Sequence, residues 1–187
     1  MARRELPTEA MRRPPRTLVA FVAAGWAFGL LDSRIPMPSS STVFWAGNLG
    51  APWLVLPFLT GWTRPSRRWA LLGGALTCVA AMIGFFGPGS GWGPASTAFV
   101  AGWIVAGALA GRLYGRFGFT WARLRTLWDG LALAVPFICE PLVWSWGLGY
   151  SQGRLPIWYA ELAAGLALLV WVVVASRRRP LGKSAEG

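Results

Sequence analysis

The sequence predicts an all-α integral membrane protein: a bundle of six transmembrane helices with its N- and C-termini in the cytoplasm. Of its 187 residues, 55% are hydrophobic, and the mean hydropathy of +0.46 is far higher than a soluble domain of this size would show. Six apolar stretches are separated by short polar or turn-forming segments. The basic residues concentrate in alternate segments, which is typical of a multi-pass protein.

The distribution of the 18 basic residues indicates the orientation. Sixteen of them lie in the two tails and in the linkers after the second and fourth helices, which we therefore place in the cytoplasm. The two outer segments that carry charge have one arginine each, Arg34 and Arg154. The net charge of +11 could suggest nucleic acid, but the basic residues form short clusters between apolar spans. This pattern argues against a nucleic-acid partner.

A single domain is expected at residues 17–176, between basic cytoplasmic tails at 1–16 and 177–187. The expected spans are 17–31, 43–62, 69–86, 96–114, 127–148 and 157–175. GxxxG spacings at Gly25/Gly29 and at Gly107/Gly111 predict close helix packing. Segment 119–127, in the linker before the fifth span, is expected to form an interfacial helix.

The fifth span, 127–148, carries the first functional candidate. Glu140 lies in its middle, with Pro136 and Pro141 nearby. An ionisable side chain in hydrocarbon costs at least about 2.5 kcal/mol. Either a binding function or a protonated glutamate bonded to a neighbouring backbone would account for that cost, and the sequence leaves both open.

The outer half of the predicted bundle collects acidic and aromatic residues. At 1.5 Å per residue, Glu140 would lie roughly 12 Å below the outer surface and Glu161 roughly 7 Å below it. Acidic groups beside aromatic rings suit a small cationic solute, through charge pairing and cation–π contact. The candidate ligand-binding residues are Glu140, Glu161, Asn48, Asp32, Trp144 and Tyr159. Three alternatives stay open: Arg34 or Arg154 pairs with the acids in a purely structural role, Glu161 faces headgroup water, and the tryptophans form an interfacial belt.

The sequence contains no histidine. This excludes Ser-His-Asp triads, HExxH zinc sites and histidine-ligated haem. The two cysteines, Cys78 and Cys139, lie in separate predicted spans and form no metal-binding spacing. We therefore expect no enzymatic activity, no cofactor and no metal.

The run NLGAPWLVLPFLTGWTRPSRRWALLGGALT, followed later by ICEPL, resembles a family of small multi-pass membrane proteins of unknown function common in actinobacteria. This resemblance covers most of the chain and implies a topology without an activity. The chain length, the six helices and the motifs Ala20xxxAla24 and Ala23xxxAla27 also resemble the S components of energy-coupling-factor vitamin transporters. Those proteins bind a vitamin near the outer face and dock a partner subunit through such motifs.

Together these features predict a multi-pass protein of the bacterial cytoplasmic membrane, surrounded by the lipid bilayer, that binds or transports a small cationic solute. The small-residue motifs are compatible with a membrane partner subunit or a homo-oligomer. The alternative is a structural or assembly protein without a ligand, in which the polar groups only lock helix packing.

Overall fold

The computed structural model describes residues 16–34, 50–88, 97–143 and 155–177, with the side chains of the last range described from Trp158 onward. These residues form six α-helices: α1 (Arg16–Asp32), α2 (Val55–Trp62), α3 (Arg67–Phe86), α4 (Thr97–Leu124), α5 (Leu127–Pro141) and α6 (Leu155–Arg177). A short 3-10 helix, Ala51–Leu54, leads into α2. The described residues contain no strand, and the prediction of an all-α fold is confirmed for them.

Three helices are long and apolar enough to cross a membrane: α3, α4 and the Trp158–Arg177 part of α6. A spanning helix needs roughly 20 apolar residues. α1 has 17 residues, and both α5 and the helix formed by residues 51–62 adjoin ranges outside the described residues. The membrane character is therefore supported, and six spans remain a prediction.

α3 lies at the centre of the bundle, where it packs against α1 on one side and α4 on the other. Glycines allow these close approaches. A Cβ atom at Gly29 would lie 1.9 Å from the carbonyl oxygen of Ala81 on α3, so no larger residue fits without moving α1. Gly25 packs on α3 one turn earlier, while Gly107 and Gly111 of α4 contact α3 from the opposite side.

α4 continues ten residues beyond the expected end of its span at residue 114. Its buried residues keep a spacing of three or four over this extension, at Gly107, Gly111, Gly115, Gly118 and Trp121. These residues pack on α2 and α3, and this packing keeps the extension of α4 within the bundle. Most of segment 119–127, expected as an interfacial helix, consequently forms the last turns of α4.

The corner between α4 and α5 sets the direction of α5. Arg125 has a positive φ of 49°, a conformation that usually favours glycine. Its N–H donates to the carbonyl oxygen of Trp121 at 3.1 Å, and its guanidinium lies over the rings of Trp62 and Trp121. Thr126 follows, and its hydroxyl donates to the Asp129 carboxylate in the first turn of α5.

α5 and α6 pack mainly against each other. They join the rest of the bundle through a core cluster that combines four helices: Phe58, Trp121, Leu133 and Val172. A second cluster, of Trp53, Ala81 and Phe85, packs the 3-10 helix against α3. These contacts bring the ends of α1 and α5, the start of α6 and the 3-10 helix to one end of the bundle, here called the glutamate end.

The opposite end, called the arginine end, is where α1 and α3 begin and α2 and α4 end. Arg64 is buried there and donates to the Thr60 carbonyl oxygen and the Thr17 hydroxyl. Arg123 donates to the carbonyl oxygens of Arg64 and Pro65, both at 3.0 Å. In the sequence analysis Arg64 is only one of the charges that indicate orientation, whereas in the structure it is a buried connection between α1 and α2.

Candidate functional site

Glu140 lies against the start of the 3-10 helix. The Gly50 N–H donates to its Oε1 and the Ala51 N–H to its Oε2, both at 2.6 Å. The first N–H groups of a helix have no acceptor within the helix, and a carboxylate is favourable beside that positive end. The Glu140 carboxylate therefore caps a segment almost 90 residues away in the chain and ties α5 to it.

Asp32 reaches the same 3-10 helix from α1. The indole Nε1 of Trp53 donates to the Asp32 Oδ2 at 3.1 Å. The Trp53 ring meets Phe28 and Phe85 edge to face, each with ring centroids 5.4 Å apart. Asp32 and Glu140 thus hold neighbouring parts of one short segment, and both carboxylates have protein donors.

Glu161 is in a different situation. Its side chain lies within hydrogen-bonding reach of the Glu140 carboxyl and is only 5% exposed, and no N–H or O–H group of the described residues donates to either of its oxygens. Glu140 cannot supply a donor as a carboxylate, because ionised carboxylates only accept. Contact between the two groups therefore requires a proton or another cation. The interpretation in which Glu161 faces headgroup water disagrees with this burial.

Trp158 shares the buried face of α6 with Glu161. The positions that face the bundle follow a spacing of three and four, at Trp158, Glu161, Gly165, Leu168 and Val172. Trp158 is 4% exposed, and its indole Nε1 is buried without a hydrogen-bond partner. Sequence reasoning did not select Trp158 as a site residue, although this spacing was a signal that could have found it.

Tyr159, which the sequence suggested for the site, is 60% exposed. It follows Trp158 directly, and one residue turns an α-helix by about 100°, so its side chain leaves the face that carries Glu161. Two other candidates, Asn48 and Trp144, lie outside the described residues. The structure thus brings Glu140, Glu161 and Asp32 to the glutamate end and adds Trp158.

In the part of the chain that the structure describes, neither Glu140 nor Glu161 forms an ion pair with an arginine, and the basic clusters lie at the opposite end. Across the same residues, no three His, Cys, Asp or Glu side chains come together as a metal-ligand set. The pair offers two carboxyl groups, one held by backbone N–H groups and one without a donor.

This arrangement can bind a proton or a cation. A cation that carries N–H donors would satisfy both oxygens of Glu161, and the adjacent Glu140 carboxylate would add to its attraction. Because Glu161 is largely removed from water, its interaction with a cation would be stronger than at an exposed surface. The same burial means that a Glu161 side chain without a hydrogen-bond partner lowers the stability of the fold.

Comparisons with known proteins give one match. A model described as a family of unknown function (DUF6518) matches residues 8–185, nearly the whole chain. No curated protein and no solved structure matches.

Proposed function

We propose that this chain, which belongs to the family of unknown function DUF6518, is a membrane component that binds or transports a small cationic solute through Glu161. One observation carries the proposal: Glu161 is a buried acid to which no N–H or O–H group of the described residues donates, and it lies beside a second acid. Structural glutamates inside membrane proteins are normally paired. A solute with a protonated amine would supply the missing donors and charge.

The proposal places the protein in the bacterial cytoplasmic membrane with six spans and cytoplasmic termini. It is supported by the three helices that are apolar enough to span and by the sixteen basic residues in alternate segments. The large apolar side chains exposed on the helices, among them Val105, Leu109 and Val170, suit contact with lipid tails. The sequence resemblance to a family common in actinobacteria favours an actinobacterial source.

A partner subunit or second copy is part of the same proposal. The resemblance to S components suggests that small residues of the first helix contact a partner. Ala20, Ala23 and Ala24 of α1 are exposed, while Gly25 and Gly29 on the other face pack on α3. The alanine motifs are therefore available for contact with another membrane helix.

Glu140 favours a second candidate function, that of a structural or assembly protein. Both of its carboxylate oxygens are satisfied by the Gly50 and Ala51 N–H groups, so its role in helix packing needs no ligand. Under this alternative, Glu161 carries a proton and donates to Glu140. No solute would then stabilise the protein.

The two functions are separated by thermal unfolding of the purified protein at pH 7 with a panel of primary amines, guanidinium compounds and alkali cations. Saturation by a ligand at 100 times its Kd adds about 2.7 kcal/mol to the free energy of unfolding. For a protein of this size we expect a rise in Tm of about 5 °C or more with at least one organic cation. Glu161→Gln should remove that rise.

Asp129→Asn is the matched control, because Asp129 lies at the arginine end and bonds to Thr126. This variant should keep the ligand-induced rise in Tm even if its own Tm is lower. If no cation raises the Tm of the wild type, the binding proposal is wrong and the structural alternative is favoured.

A further inference from the structure

On the buried face of α6, an indole N–H group that has no acceptor lies one turn from a carboxyl group that has no donor. Trp158 and Glu161 are three residues apart, so they lie one above the other on the same face of the helix. The indole Nε1 of Trp158 and both carboxyl oxygens of Glu161 have no partner among the described residues. Buried polar atoms without partners are rare in native proteins, and two such groups one turn apart call for a shared explanation.

The described groups of the protein do not resolve this mismatch. Each Glu140 oxygen accepts one backbone N–H, from Gly50 or Ala51, and the Trp158 Nε1 donates to neither oxygen. A proton on Glu161 would satisfy the carboxyl pair but would leave the Trp158 N–H without an acceptor. A bare metal cation would have the same defect, because it accepts no hydrogen bond.

We propose that Trp158 recognises the same solute as Glu161: an amine that also carries a hydroxyl or carbonyl oxygen a short spacer away from its nitrogen. The ammonium would donate to Glu161, and the oxygen would accept from the Trp158 indole. Amino alcohols and amino-acid amides have this pattern. The inference rests on the proposed function and specifies its substrate class.

A second unpartnered indole shows why the charge nearby matters. Trp121 is also fully buried, and among the described residues its Nε1 has no hydrogen-bond partner. It lies in the apolar cluster with Phe58, Leu133 and Val172, and the guanidinium of Arg125 lies over its ring. Trp121 therefore already has a cation of the protein beside it, and it serves as a chemical control for Trp158.

The test uses two amines of equal size, ethanolamine and n-propylamine, which differ only by a hydroxyl in place of a methyl group. Kd values come from titrations of the Tm of the full-length protein at pH 7, where both amines are cations. We expect ethanolamine to bind the wild type about fivefold more tightly, as one added hydrogen bond implies. Trp158→Phe should abolish this preference and leave n-propylamine binding unchanged, whereas Trp121→Phe should keep the preference.

The outcomes separate this inference from the function it rests on. Equal Kd values for the two amines in the wild type would overturn the role of Trp158 while leaving Glu161 as a cation site. The same conclusion would follow if Trp158→Phe kept the preference. Binding of neither amine, or unchanged binding in Glu161→Gln, would remove the proposed cation site and this inference with it. The wild-type comparison decides the question even if Trp158→Phe fails to fold.

Discussion

Glu140 and Glu161 have the same side chain and lie next to each other, but they have different surroundings. Glu140 accepts two short hydrogen bonds from backbone N–H groups, while Glu161 has no donor among the described residues. The hydrogen bonds to Glu140 stabilise the fold, whereas the two oxygens of Glu161 can still accept hydrogen bonds from a ligand. The residue that first attracts attention in the sequence is thus the better candidate for a structural role.

This contrast predicts opposite effects of the same substitution on stability. Glu140→Gln would place an amide NH₂ group against one of the two N–H donors, and we expect it to lower the free energy of unfolding by about 1–3 kcal/mol. In Glu161→Gln the new NH₂ group can donate to Glu140, so stability should be unchanged or higher. Thermal unfolding without ligand measures both, and equal losses in the two variants would contradict this assignment of roles.

At the level of helices, packing depends on how closely α3 approaches its neighbours. Glycines on α1 and α4 leave backbone in contact with backbone, and this close packing supplies much of the attraction between helices in a membrane. The long interface also fixes the orientation of α4, and through the Arg125 corner that of α5. Glu140 is therefore positioned by contacts made far from it.

Two glycine-to-alanine substitutions test this dependence. In Gly29→Ala the new methyl group would lie 1.9 Å from the Ala81 carbonyl oxygen, so α1 must move away from α3. We expect a loss of about 1–3 kcal/mol, typical of overpacking. Gly102→Ala on α4 is the control, because nothing lies within 4 Å of the added methyl group. Because alanine has a higher helix propensity than glycine, Gly102→Ala should leave the free energy of unfolding equal or slightly higher. Comparable losses in both variants would argue against the close approach of α1 and α3 as the cause.

For the whole molecule, the separation of charge is the main feature. Arginines collect where α1 and α3 begin, and the pair of Glu140 and Glu161 lies at the opposite end. From the positive-inside rule we predict that the arginine end faces the cytoplasm, which would direct the acid pair toward the outer face. A solute from outside the cell would then meet Glu161 in the outer half of the bundle.

Cysteine labelling on intact cells tests this orientation. In a background with Cys78→Ala and Cys139→Ala, a membrane-impermeant maleimide should label Ser151→Cys, which follows the fifth predicted span. Ser184→Cys in the C-terminal tail should react only after the cells are permeabilised. Labelling of Ser184→Cys in intact cells would show that the C-terminal tail is outside, in conflict with the predicted topology.

Composition and local pattern were enough for the broad description. Apolar stretches at helical spacing predicted the all-α fold, which the described residues confirm, and the chain belongs to a family of unknown function over residues 8–185, as its sequence resemblance indicated. Both features depend only on neighbours along the chain. The acid within the fifth apolar stretch was visible for the same reason, since a charge in hydrocarbon stands out in any local window.

The tertiary structure decided which groups form hydrogen bonds with each side chain and which face of each helix is buried. Nothing in the sequence near Glu140 indicates that its acceptors are used by Gly50 and Ala51. The choice between Trp158 and Tyr159 depends on which side of α6 meets α5, since neighbouring residues point about 100° apart. Contacts between residues distant in the chain depend on how the helices pack together, and packing depends on the shapes of all the surfaces that meet.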